Sequence, residues 1–157
     1  MDAGDVLVDV RCEPPVSIRR CGDRLVTVAS SAGPVGGDEL RFDIEVGPGA
    51  RADIGSVAAT ILWPSVDGAT SSTSSRVRVG AGGHLHWAPE PTISVAGSRH
   101  RTSLLVELAA DAGCTIVEEV VLGRSDEPAG RLDLELRVER DGRALVHHAE
   151  TFGPDVA

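Results

Sequence analysis

The chain has 157 residues, a formal net charge of −9 and fifteen cationic side chains, all of them arginine, with no lysine and no tyrosine. Without lysine there is no Schiff-base, P-loop or lysine general-base chemistry, which sets aside pyridoxal enzymes, Walker-type nucleotidases and kinases. The acidic balance, with only two Phe and two Trp to stack on bases, disfavours nucleic acid and anionic lipid as partners.

The length suits a single domain over residues 1–157. Met1-Asp-Ala-Gly-Asp5 carries acid where a secretory leader carries cations, and the apolar runs are far too short to span a membrane, so a cytoplasmic protein is expected. Cys12, Cys21 and Cys114 are an odd count without Cys-x-x-Cys spacing. Reduced, structural thiols are expected from them rather than a disulfide framework or a zinc knuckle.

Alternating apolar and polar residues run through the chain from its start. Val6, Val8 and Val10 alternate first, and Leu25–Val28 follows the turn Cys21-Gly22-Asp23-Arg24. Ser31-Ala-Gly-Pro-Val-Gly-Gly-Asp38 looks like a phosphate loop, but neither a helix nor a lysine follows it. Its glycines predict a bend, with Asp38 bonded to nearby amides. In Arg41-Phe-Asp-Ile-Glu-Val46 the apolar residues share one face and the charges the other, which is the pattern of a half-buried strand. Gly47-Pro-Gly-Ala50 turns the chain into Ala50–Ile54, and a short helix is allowed near Val57–Leu62. Asp67–Ser75, rich in Ser and Thr, predicts an exposed loop.

Gly80-Ala-Gly-Gly83 leads into the strand His84–Trp87, which Pro89 and Pro91 then stop. Ala110-Asp-Ala-Gly113 precedes a strand over Cys114–Leu122, and Leu132–Val138 joins Ala144–His147 through Arg140-Asp-Gly-Arg143. The five turns begin at residues 21, 47, 80, 110 and 140, a spacing of 26, 33, 30 and 30. So regular a recurrence predicts one supersecondary unit used repeatedly. A two-stranded unit cannot bury its apolar face alone. The predicted fold is therefore mainly β, with stacked antiparallel hairpins forming a β-solenoid-like or sandwich body and little helix.

Familiar catalytic signatures such as Gly-x-Ser-x-Gly and His-Glu-x-x-His do not occur, and no catalytic residue is proposed. His84-x-His86 has the spacing of two ligands on one side of a strand, but Leu85 and Trp87 claim the inner face. The imidazoles then face solvent or a partner and lack a named third ligand. His147 and His148 point to opposite faces. In Cys114-Thr-Ile-Val-Glu-Glu-Val-Val-Leu122 both strand faces are otherwise apolar, so at least one of Glu118 and Glu119 is expected to be partly buried. Such a carboxylate needs an arginine, a donor, a proton or an ion. A structural ion pair is the plain reading, and a polar internal path the sharper one.

Three segments together, Gly33-Pro-Val-Gly-Gly-Asp-Glu-Leu40, Asp43-Ile-Glu-Val-Gly-Pro-Gly-Ala50 and Leu85-His-Trp-Ala-Pro-Glu-Pro-Thr-Ile93, resemble the urease accessory protein UreD family, also called UreH. Ala58-Ala59-Thr60, and the run from Glu118 to Leu122-Gly123-Arg124, fall in the family's order, and the resemblance covers roughly residues 30 to 150. It implies a non-catalytic maturation factor that binds apo-urease and acts with UreF and the GTPase UreG to deliver nickel. No cofactor is held tightly, and nickel contacts are transient. As the resemblance implies an internal ion route, Glu118, Asp38 and Thr60 are its candidate polar lining, while His84 and His86 are candidate ligands that do not carry over from the family. Relatives are longer, so the chain is expected to be short at its C-terminus. The alternative is a stand-alone β-rich ligand- or carbohydrate-binding module, for which Trp63 and Trp87 would be the only sugar platforms.

Overall fold

The computed structural model describes residues 11–154, and the alternating valines at 6, 8 and 10 lie outside them. No helix occurs among the described residues, so none is long and apolar enough to cross a membrane. Strands wind through three sheets in the same order, coil after coil. One coil comprises β3 (Glu39–Val46), β4 (Arg51–Ser56) and β5 (Thr60–Leu62); the next comprises β6 (Ser71–Val79), β7 (His84–Trp87) and β8 (Thr92–Ser94). A third follows with β9 (Arg99–Leu108), β10 (Gly113–Ile116) and β11 (Val120–Leu122). Before them lie β1 (Val16–Cys21) and β2 (Arg24–Ala29), and after them β12 (Arg131–Arg140) and β13 (Arg143–Phe152).

The sheets run β13-β12-β9-β6-β3, β1-β2-β4-β7-β10 and β11-β8-β5. This is the mainly β, solenoid-like body expected from the recurring turns. Pairing between coils is parallel throughout, and antiparallel pairing is confined to the β1–β2 and β12–β13 hairpins. Val46, Val79, Leu108 and Arg140 occupy one row, so successive coils take 33, 29 and 32 residues.

The turns after β3, β6 and β9 are corners rather than hairpins: each carries the chain from the first sheet to the second. They stack on one another through backbone bonds, Gly80 N–H to Val46 O at 2.8 Å and Ala109 N–H to Val79 O at 2.9 Å. Gly49 N–H donates to Ala81 O at 2.8 Å, and Gly82 N–H to the Asp111 carboxylate at 2.8 Å. A Cβ on Gly80 would sit 2.9 Å from Pro48 N, so close stacking requires glycine there. Local turn chemistry is the same for a corner and a hairpin; what differs is whether the next strand stays in the same sheet.

The main core fills the space behind these corners. Val77, Val106 and Leu85 are fully buried, and Val46, Val79, Leu108, Ile54 and Val138 join them. Three local expectations are corrected. The Ser/Thr segment predicted as an exposed loop contributes the strand β6, with Ser71 only 1% exposed. Its alternate hydroxyls face inward, and parallel partners on both sides supply the ladder that composition alone does not suggest. The turn of helix allowed near Val57–Leu62 is instead β5, held beside β8. The run Cys114–Leu122 is divided between β10 and β11, because residues 117–119 turn the corner between two sheets.

Candidate functional site

Inward-facing residues of β3, β6, β9 and β12 fall into registered rows. Ile44, Val77, Val106 and Val138 form a wholly aliphatic row, whereas the rows toward the strand starts read Phe42-Ser75-Leu104-Leu136 and Leu40-Thr73-Thr102-Leu134. The small polar residues of the middle coils leave space. A cavity of about 250 Å³ occupies it, lined by these hydroxyls, Thr60, Thr92, Trp87, His100 and Glu118.

His100 is 2% exposed, and burial alone brings its pKa down to about 4, so the imidazole is neutral at physiological pH. Its Nδ1 lies 2.8 Å from Ser71 Oγ, and that hydroxyl also donates to Arg99 O at 3.3 Å. Trp87 is 9% exposed and its indole N–H has no hydrogen-bond partner among the described residues. A buried donor left unpaired at a cavity wall marks a place for a polar guest or water.

Glu118 sits at the corner between β10 and β11 and is half-buried, while Glu119 is exposed. The alternation had led to the expectation that at least one of the two is partly buried. Burial raises the Glu118 pKa, with no opposing contribution from an arginine among the described residues. Pro89, Thr92, Thr102 and Glu118 border both the main cavity and a second one of about 30 Å³, which extends to Glu119, Val120 and Leu134. Glu118 therefore stands where two internal spaces adjoin.

The other candidate residues are placed differently. Thr60, at the start of β5, lines the main cavity beside Thr92. Asp38 is exposed and caps its own turn: its carboxylate accepts from Val35 N–H at 2.9 Å, as the glycine-rich bend predicted. His84 and His86 point outward while Leu85 is fully buried, and His86 Nδ1 lies 3.1 Å from Asp53 Oδ1. Arg24 competes for the same carboxylate at 3.1 Å. Among the described residues no group of three or more His, Cys, Asp or Glu could hold a metal ion. His147 and His148 are exposed and pair separately with Glu135 and Glu150.

All three cysteines are free thiols; burial raises the pKa of Cys114, and Cys12 and Cys21 are exposed. The Arg124 guanidinium covers Trp63, 5.2 Å from the ring centroid. Trp87, as expected, belongs to the core.

Sequence reasoning missed His100 and the hydroxyl-lined cavity around it. A signal was present: Ser71, Thr73, Ser75, His100 and Thr102 alternate within two segments, at positions where a strand's inner face carries aliphatic residues.

Comparison with known proteins places the chain. The family model described as UreD urease accessory protein matches residues 2–156. A urease accessory protein UreD of Parafrankia sp. (strain EAN1pec) is 41% identical over 140 residues, covering 86% of this chain and 47% of that protein. The Streptomyces coelicolor protein of the same name is 36% identical over 156 residues, 96% of this chain and 61% of the relative. That of Frankia alni is 43% identical over 126 residues, 80% and 42% respectively. The chain thus spans about half the length of the curated relatives it matches, and it belongs to the UreD urease accessory protein family.

Proposed function

We propose that the chain is a urease maturation factor that binds apo-urease and, together with UreF and the GTPase UreG, assists delivery of nickel to the urease active site. The observation that carries this reading is family membership along almost the whole chain. The hollow solenoid agrees with it. An ion in transit needs a polar but incompletely coordinating interior, and the cavity offers hydroxyls, one neutral imidazole and one carboxylate. Thr60 and Glu118 line this route, and Asp38 holds the bend that starts the first coil. Nickel is cargo with transient contacts, no cofactor is bound tightly, and nucleotide hydrolysis belongs to the GTPase partner. The protein acts in the cytoplasm by contact and transforms no substrate itself.

The test is made in a urease-positive host lacking its own copy of the gene. Expression of this chain should restore nickel-loaded urease and allow tagged chain to co-purify with the urease subunits. Glu118→Gln should keep the association and lower the nickel content of urease. Full nickel loading in the host without the gene would end this reading.

A further inference from the structure

Two polar groups on the cavity wall meet no partner among the described residues. The Trp87 side chain is 9% exposed, and its indole N–H has no acceptor. Glu118 borders the same space, and burial is the one influence that shifts its carboxyl. The register brings them together: Ile116 pairs with Trp87 across the β7–β10 ladder, Val117 N–H donates to Trp87 O at 2.8 Å, and Glu118 follows. A donor and a carboxyl thus come from adjacent backbone at one wall, and each is costly to leave unmet in an apolar surround.

We propose that this cavity binds a short-chain, uncharged primary amide, whose carbonyl oxygen accepts from the Trp87 indole and whose NH2 group donates to Glu118. This goes beyond the maturation reading and does not depend on it.

Three features select the ligand class. The first is charge. Nothing on the walls balances an anion, since no arginine lines the cavity, the chain has no lysine, and burial holds His100 neutral with a pKa of about 4. An ammonium would pair with Glu118, but it would leave the indole N–H facing another donor and would lose its hydration among Leu40, Phe42, Ile54, Leu62 and Leu104. The second is the pairing of donor with acceptor. A primary amide carries both on one carbon, and it suits Glu118 in either protonation state, because its NH2 donates to a carboxylate and its carbonyl accepts from a carboxyl proton. The third is size and access. The volume of about 250 Å³ lies just under the roughly 300–1,000 Å³ of sites for drug-sized molecules, which fits a head group with a short apolar tail. Val57, Ala58 and Ala59 are exposed and line the cavity too, so it opens to solvent between β4 and β5 through an apolar lip.

Proton–nitrogen spectra of the labelled full chain give one indole signal each for Trp63 and Trp87, and Trp63→Phe tells them apart. Butyramide, butyrate and butylammonium, titrated separately at neutral pH, share a similar chain and differ in the charge of the head. The expected result is a saturable downfield shift of the Trp87 signal by butyramide, with Trp63 unmoved and binding at least about tenfold tighter than that of either ion. Glu118→Leu should weaken butyramide about tenfold, the effect of one hydrogen bond lost at a buried group. Ser75→Leu, which sets an aliphatic chain beside Leu104 in the same row, should fill the hollow and abolish the shift. If either variant fails to fold, the wild-type series still decides. Equal affinity for butyrate or butylammonium, an equal shift at Trp63, or a Trp87 indole proton that stays on water at saturating butyramide would overturn the proposal. So would unchanged affinity in Glu118→Leu, or a folded Ser75→Leu chain that still binds. None of these readouts involves urease, so either reading can fail without the other.

Discussion

Along each long strand of the first sheet, the two halves solve different problems. The half next to the stacked corners is aliphatic: Val77, Val79, Val106 and Leu108 join Leu85 and Ile54 in one buried cluster. The opposite half, from Ser71 to Ser75 and from His100 to Thr102, turns hydroxyls and an imidazole inward around a cavity of about 250 Å³. Both halves share one parallel ladder. The backbone therefore tolerates a polar hollow because the adjoining apolar rows hold the register, a division of labour between stability and site within the same strands.

Four measurements probe that division, by chemical or thermal unfolding. The largest loss is expected from Leu85→Ala, which empties a fully buried position in the aliphatic half and should cost roughly 2–5 kcal/mol. If it costs no more than conservative changes around the cavity, the two halves are not distinct. Next comes acid. His100 has its folded pKa at about 4 against 6.5 for the free side chain, so the stability its neutral form contributes is present above about 6.5 and is lost as pH falls toward 4. The loss reaches at most about 3 kcal/mol. Glu118 works in the opposite sense, because burial raises its pKa and protonation relieves the cost of its charge as pH falls. The acid-side slope should accordingly steepen in Glu118→Gln, which should also raise the unfolding midpoint at neutral pH; an unchanged slope would deny the buried environment of Glu118, and the absence of any acid-side loss that of His100.

Gly80→Ala tests the corners, since its new Cβ meets Pro48 N at 2.9 Å and should cost about 1–3 kcal/mol by overpacking. A neutral result would mean that the corners do not hold the coils together. The smallest effect belongs to the outer face of the sheet. Arg76 reaches Glu107 Oε2 at 2.6 Å and holds the Glu107 pKa below its usual range, yet both side chains are solvated. Arg76→Ala should shift the midpoint least of the four, with a difference that shrinks in added salt.

Much of this organisation was legible in the residues. Recurring glycine turns announced a repeating β body, and Phe42-x-Ile44-x-Val46 announced which face is buried. Pro89 and Pro91 marked the gap between β7 and β8. Parallel pairing was not legible, because Gly47-Pro-Gly-Ala50 has the same local chemistry whether the next strand turns back or passes to another sheet. The Ser71–Ser75 strand was hidden for a related reason. Its order comes from partners near residues 40 and 103 in the sequence, and hydroxyls carry no hydrophobic period. At the site, Glu118 could be found because a carboxylate interrupted an apolar strand. His100 lies between arginines at 99 and 101, and no local pattern singles it out; only the neighbouring coils show that alternate positions turn inward.

The three bends of each coil differ in how much length they permit. Four residues separate the first and second sheets in every coil, at 47–50, 80–83 and 109–112, where backbone bonds tie each bend to the next. Between the third sheet and the return to the first, the connections hold eight, four and eight residues, at 63–70, 95–98 and 123–130. One edge of the prism thus behaves like a fixed spine and the opposite edge like a slack seam. Sequence inserted in the two eight-residue connections would bulge outward without altering the pitch, which makes them the natural place to graft a tag or a reporter peptide while leaving the cavity undisturbed.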